Sequence, residues 1–150
     1  MGAIVTGGRG APFAPSGMTK SGSNFGLSTS YATVTTWTAD TTGYPGSSVS
    51  GNGLVVQNNR VAAKVACSVI GTAASAGGGT ITARLKVGAT VVVTGSPVSI
   101  PGFGGTNTIA LDATVDVAAG DIVTLEALAS SGASASIVTG ATSWVRVTQS

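Results

Sequence analysis

The chain has no histidine and a single cysteine, Cys67. The first absence removes the commonest general base, the commonest metal ligand and the usual partner of a catalytic serine or cysteine. The second excludes an internal disulfide and a thiolate zinc site, so the chain does not read as a disulfide-stapled secreted scaffold. Charge is scarce as well: charged side chains are 8% of the residues, against about 25% in an ordinary soluble domain. A compact monomer of this size would expose roughly 6,800 Å². Seven bases and five acids are few for such a surface. Thr and Ser must carry part of the solubility, and cover by other subunits is expected for the rest.

The net charge of +2 is not concentrated anywhere. Arg9, Lys20, Arg60, Lys64, Arg84, Lys86 and Arg146 form no run, and aromatic residues are 5% of the chain. Nucleic-acid binding needs a basic stripe, commonly with stacking rings, and is not expected. No apolar run approaches the roughly 18 residues of a membrane helix, so membrane insertion is not expected either. Met1–Gly10 lacks a basic region followed by an apolar core, so no secretory leader is read there.

What the chain does have is alternation. In residues 107–128, Ile109, Leu111, Ala113, Val115 and Val117 fall on every second position, with Thr108, Asp112, Thr114 and Asp116 between them. That period of two predicts a half-buried strand. Ala118-Ala119-Gly120-Asp121 breaks it, and a second strand starts at Ile122. The same style predicts strands over Tyr31–Thr38, Gly53–Gln57, Arg60–Ile70, Thr80–Val87, Val91–Val93, Val98–Ile100, Ser136–Thr139 and Ser143–Thr148. In Arg60–Ile70 the inward set is Val61, Ala63, Val65, Cys67 and Val69. Pro97 marks an edge or a bulge. Small-residue loops at Gly71–Gly79, Pro101–Gly105 and Ser130–Ser134 separate the strands. Eight to ten strands with regular turns predict an all-β antiparallel sandwich over residues 29–150.

Residues 1–28 differ. Seven glycines with Pro12 and Pro15 deny this stretch a regular element. Ile4, Val5, Phe13, Met18, Phe25 and Leu27 are scattered through it as separated anchors. It reads as an extended arm that is dispensable for folding and lies against a partner, with backbone hydrogen bonds to a sheet edge supplementing the apolar anchors.

Candidate chemistry is thin. Cys67 falls on an inward strand position and reads as a buried structural thiol. Asp40, Asp112, Asp116, Asp121 and Glu126 do not supply the six to eight oxygens of a calcium site, and read as a solvated strand face and turn residues. Gly77-Gly78-Gly79 and Gly104-Gly105 lack the Lys-Ser/Thr of a phosphate loop. Trp37 and Trp144 read as core or rim fillers, with a sugar-binding face as the alternative. No catalytic, cofactor-binding or metal residue is assigned and no cofactor is expected.

The order of features is informative. A Trp-bearing strand precedes Gly53-Leu54-Val55-Val56, then the long Arg60–Val69 strand, Thr82–Gly88, the Ala-Gly-Asp turn within Val115–Leu125, and a closing Ser143–Val147 strand. Over residues 31–149 this resembles the trimeric jelly rolls of the tumour-necrosis-factor and complement-head type. The composition and the arm are similar to jelly-roll virion proteins of tailed phages. The resemblance implies a non-enzymatic homotrimer, made in the host cytoplasm and located in the virion. It would be a minor tail or baseplate component held to other virion proteins by its arm. A capsid decoration protein and a carbohydrate- or receptor-binding module at a tail tip, using the three loops on a host-surface glycan, stay open at this point.

Overall fold

A computed structural model of the chain describes residues 12–150. Among these residues the elements are all strands: β1 (Ser16–Lys20), β2 (Phe25–Gly26), β3 (Ala32–Thr33), β4 (Trp37–Ala39), β5 (Val49–Ser50), β6 (Gly53–Val55), β7 (Arg60–Ala73), β8 (Gly79–Val87), β9 (Thr90–Thr94), β10 (Val98–Ile100), β11 (Gly105–Val117), β12 (Ile122–Ala129), β13 (Ala135–Ile137) and β14 (Gly140–Gln149). Every pairing is antiparallel. The first sheet runs β11, β7, then β13 and β14 in line, then β2 and β1 in line, and β4 at the far edge. The second runs β9 and β10, β8, β12, then β6 and β3, and β5. The two face each other as a jelly-roll sandwich. Its segments outnumber the eight to ten expected from sequence because several runs are broken in mid-course.

The alternation explains the core. Ala63, Val65, Cys67 and Val69 of β7, with Val145 and Val147 of β14, face Ile81, Leu85, Val123 and Leu125 of the other sheet, all buried. The Ala-Gly-Asp turn between β11 and β12 closes on itself: Asp121 donates its N–H to Ala118 O at 3.0 Å, and its carboxylate accepts the Ala118 N–H at 2.9 Å.

Three expectations are corrected. The sandwich does not begin at residue 29. β1 lies inside the first sheet between β14 and β4, with Met18 fully buried. A strand of five residues with two hydrogen-bonded neighbours needs little apolar periodicity of its own. The strands thus reach back to Ser16; of the expected arm, residues 1–11, with Ile4, Val5 and Arg9, lie outside the described residues.

Secondly, Tyr31–Thr38 is not one strand. β3 pairs with β12 in the second sheet and β4 with β1 in the first, so the chain changes sheets at Val34–Thr36. Val34 donates to Leu125 O at 2.8 Å, and Thr36 makes the bend in a left-handed conformation, φ 65°.

Thirdly, Val61 is 76% exposed rather than inward. Val115 pairs with Ala63 and Val117 with Arg60, so Val61 and Ala62 together oppose Asp116 in a β-bulge. Ala62 takes φ 54°, and Asp116 accepts its N–H at 2.9 Å. At the start of the bulge Arg60 is half-buried, with its guanidinium 6.0 Å from the Phe13 ring.

The sandwich has two distinct ends. β7 starts, β14 finishes and β1 enters at the near end. At the far end are the β7–β8, β10–β11 and β12–β13 connections. The 14 residues of β7 set the ends about 45 Å apart.

Candidate functional site

The three loops singled out in the sequence come together at the far end. Ala74 and Ser75 of the first donate to Ser134 and Ala133 of the third at 3.1 and 3.3 Å. Phe103 of the second donates to Ser75 O at 3.0 Å, and Gly104 to Ala73 O at 2.9 Å. Two glycines allow this approach. A side chain at Gly78 would meet Ile100 O, and one at Gly102 would meet Ala76 O. The outcome is a tied backbone carrying Phe103 at its tip, 85% exposed and in the left-handed region at φ 57°. No charged residue occurs in 65–83, 87–111 or 127–145, so this end presents hydroxyls, backbone and one phenyl ring.

A second candidate lies on the outer face of the first sheet. Trp144 and Arg146 of β14 point outward, with the guanidinium 3.9 Å from the indole and 5.3 Å from the Tyr44 ring. Tyr44 rests on Gly17, where a Cβ would collide with it. Beside Trp144 is a depression of about 400 Å³ lined by Lys64, Ala66, Ser68, Ala110 and Asp112. Lys64 and Asp112 close its far side as an exposed pair at 3.5 Å. Towards the near end of the same face, Phe13, Pro15, Tyr44, Thr148 and Gln149 line a depression of about 320 Å³.

The remaining sequence candidates are dispersed. Trp37 is buried, and its indole N–H is used on Val34 O at 2.8 Å. Cys67 is buried, and burial, opposed by a backbone hydrogen bond with Leu111, pushes its thiol up to about 12. Asp112, Asp116 and Asp121 serve an ion pair, a bulge and a turn respectively. Among the described residues no three potential metal ligands cluster, and no helix is long and apolar enough to cross a membrane.

Two polar clusters escaped the sequence reading. The Lys20 ammonium is buried under three carbonyls, Ser21, Ser23 and Thr36, at 2.6, 2.9 and 3.2 Å. Burial lowers its pKa from 10.5. On the outer face of the second sheet, Glu126 accepts from Arg84 Nε at 2.6 Å and Lys86 Nζ at 3.3 Å, with Tyr31 3.9 Å over the guanidinium. Burial alone would raise the Glu126 carboxyl; the Arg84 and Lys86 bonds outweigh it and hold it below its ordinary 4.5. Arg84, Lys86 and Glu126 all sit on polar positions of alternating strands, which was a usable signal. Lys20 gave none, because its three acceptors are backbone.

The fold was compared with known proteins. No protein-family model and no curated protein sequence matches the chain. Among solved structures it is similar to the Eiger TNF of S. frugiperda, with a TM-score of 0.58 and 14% identity over 93% of this chain and 94% of that one. A carbohydrate-binding module of Cellvibrio mixtus lichenase 5A, in complex with cellotriose, matches with a TM-score of 0.37 and 19% identity over 89% of this chain and 96% of that one. The fold is a TNF-like jelly roll.

Proposed function

We propose that the chain is a non-enzymatic structural protein of a tailed-phage virion, a homotrimer fixed at its near end by the N-terminal arm and presenting the far-end loops outward. The observation that carries this reading is the separation of the two ends. The chain enters β1 at the near end, where the arm leads, while the three tied loops close the opposite end. At the near end two buried polar atoms, Ser16 Oγ and Arg60 Nε, have no hydrogen-bond partner among the described residues. Such atoms are costly in a finished interior and are commonly completed by a further group. The chemistry supports the same reading. Lys20, Cys67, Asp116, Asp121 and Glu126 are each engaged in holding the fold, and Arg84, Lys86 and Arg146 are each paired or stacked.

Within the virion, a minor tail or baseplate position is preferred to capsid decoration. Mass spectrometry of gradient-purified virions from a phage carrying this gene tests the reading. The chain should be present in a multiple of three copies, and immunogold labelling should place it on the tail. Absence from the particles would overturn the proposal, and a label on the head would move it to decoration. A second reading, a carbohydrate-binding module, is favoured by the groove beside Trp144. There an indole, a hydroxyl and a charged pair line one depression, which is the mixture that sugar recognition uses.

A further inference from the structure

Asn52-Gly53 is the one Asn-Gly pair in the sequence, and it sits in the hairpin between β5 and β6. Three demands of the fold meet on it. Gly51 and Asn52 make the turn with φ of 54° and 63°, a left-handed pair that glycine adopts freely and that asparagine and aspartate tolerate best among the rest. Asn52 Oδ1 accepts the Thr36 N–H at 3.2 Å, where the chain changes sheets. Gly53 lies so close under β12 that a Cβ there would collide with the Ile122 and Thr124 methyl groups. The fold thus requires a short side chain with an oxygen at position 52 and glycine at position 53. With asparagine in the first place that combination is chemically labile. Its carboxamide is among the thermolabile side chains, and no Cβ crowds the Gly53 nitrogen when it approaches one. The hairpin restrains that nitrogen only loosely. Val55 donates to Ser48 O at 3.0 Å, and bonded pairs alternate along an antiparallel ladder, so Ser50 O holds the Gly53 N–H. β5 has two residues and is the outermost strand of its sheet, and Ser50, Gly51 and Asn52 are exposed. A tip of this kind opens locally at a small fraction of the global unfolding free energy.

We propose that Asn52 is a site of spontaneous modification, cyclising onto Gly53 and ageing the protein into two products of unequal stability. When the tip opens, the Gly53 nitrogen attacks Asn52 Cγ. A bond forms between them, the nitrogen gives up its proton, the carboxamide C–N bond breaks and ammonia leaves. Water then opens the succinimide ring at one of its two carbonyls. Cleavage between Cγ and the Gly53 nitrogen returns the ordinary chain with aspartate in place of asparagine. Cleavage at the main-chain carbonyl leaves isoaspartate, and the chain then runs through Cβ and Cγ with one extra methylene. Both products carry a new carboxylate, which lowers the formal net charge of +2 by one. Aspartate meets all three demands: it tolerates the turn, offers an oxygen to the Thr36 N–H and leaves Gly53 where it packs. Isoaspartate does not. Leu54 is fully buried and paired with Val123, so β6 stays in place, and the lengthened turn cannot keep Ser50 opposite Gly53. The acceptor for Thr36 is displaced with it, and Thr36 O is one of the carbonyls on which the Lys20 ammonium rests. The inference concerns the hairpin alone and stands or falls separately from the virion reading.

The test ages the full chain in neutral buffer at body temperature for weeks and follows it by peptide mass mapping. The peptide containing Asn52 should gain the mass difference between water and ammonia before Asn24, Asn58, Asn59 or Asn107 reacts. An isoaspartyl methyltransferase should label that peptide and no other, and ion exchange should resolve a growing, more acidic fraction of the whole protein. Two melting curves then separate the products. Freshly purified Asn52→Asp, which reproduces one of them, should melt with the parent. The aged acidic fraction should melt lower, in proportion to the isoaspartate it contains. An Asn52 that stays intact throughout or reacts after another asparagine, an isoaspartate-bearing fraction that melts with the parent, or a lowered melt of Asn52→Asp would each overturn the proposal.

Discussion

Ala62 shows how one residue can redirect a strand. Its φ of 54° is a conformation that costs an L-residue about 1–2 kcal/mol. It is maintained by the Asp116 carboxylate on its N–H and the Ser150 hydroxyl on its C=O, at 2.9 and 2.6 Å. Ala62→Gly should therefore stabilise the protein by about 1 kcal/mol, read from the denaturation midpoint, and an unchanged or lower midpoint would show the bulge to be unstrained. Glu126 sets the acid limb of stability. Its folded-state pKa is below the ordinary 4.5, so its contribution is complete above that value and fades as pH falls through the lower one. Glu126→Gln should destabilise the protein by about 2 kcal/mol at neutral pH. Its melting temperature should also fall less steeply than that of the parent below pH 4.5. Cys67 works the other way. With its thiol pushed up to about 12, it should resist thiol reagents in the native protein at pH 8 and react at once in denaturant.

At the scale of elements, the strands legible in the sequence are those with one wet and one dry face. β7, β8, β11 and β12 all followed from period two, because each is long and has a neighbour in the other sheet to bury against. β1 was not legible. Ser16, Gly17, Met18, Thr19 and Lys20 include a glycine on which Tyr44 packs and a lysine whose charge is satisfied by backbone carbonyls. Neither arrangement leaves an apolar pattern. The split of Tyr31–Thr38 was hidden for a related reason: β-branched residues suit either sheet, and the crossing at Thr36 depends on an acceptor from Asn52, 3.2 Å away. The three loops were legible as breaks in the alternation, but Gly71–Ala73 belongs to β7, Gly79 to β8 and Gly105 to β11, and the convergence of the loops comes from topology. Lys20→Met tests the polar centre of this region. It takes the ammonium away from the Ser21 and Ser23 carbonyls, while Thr36 O keeps the Ser21 N–H at 3.0 Å, so a loss of about 2–4 kcal/mol in unfolding free energy is expected; a loss under about 1 kcal/mol would show that water replaces the ammonium.

The whole molecule is a two-ended sandwich, and where its N-terminal arm stops decides what a truncation does. A chain beginning at Pro12 retains every strand of the described residues, including β1 with its pairing to β14 and β4. It should melt cooperatively at the parent temperature and, on the proposed function, fail to enter virions. A chain beginning at Ser28 loses β1 and β2. Removing Met18 from a fully buried site alone costs about 2–5 kcal/mol. The Lys20 centre and the hydrogen bonds of three strand pairings go with it, leaving β14, β4 and β13 each without a neighbour. Those losses together reach the whole of a typical domain stability of about 5–15 kcal/mol. The shorter chain should accordingly be unfolded or aggregated by circular dichroism and size exclusion. A cooperative melt from a chain beginning at Ser28 would mean that β1 is an appended strand and that the sandwich starts where β3 enters. A lowered melt from the chain beginning at Pro12 would mean that residues 1–11 complete the near end, and the natural groups for them to meet are Ser16 Oγ and Arg60 Nε.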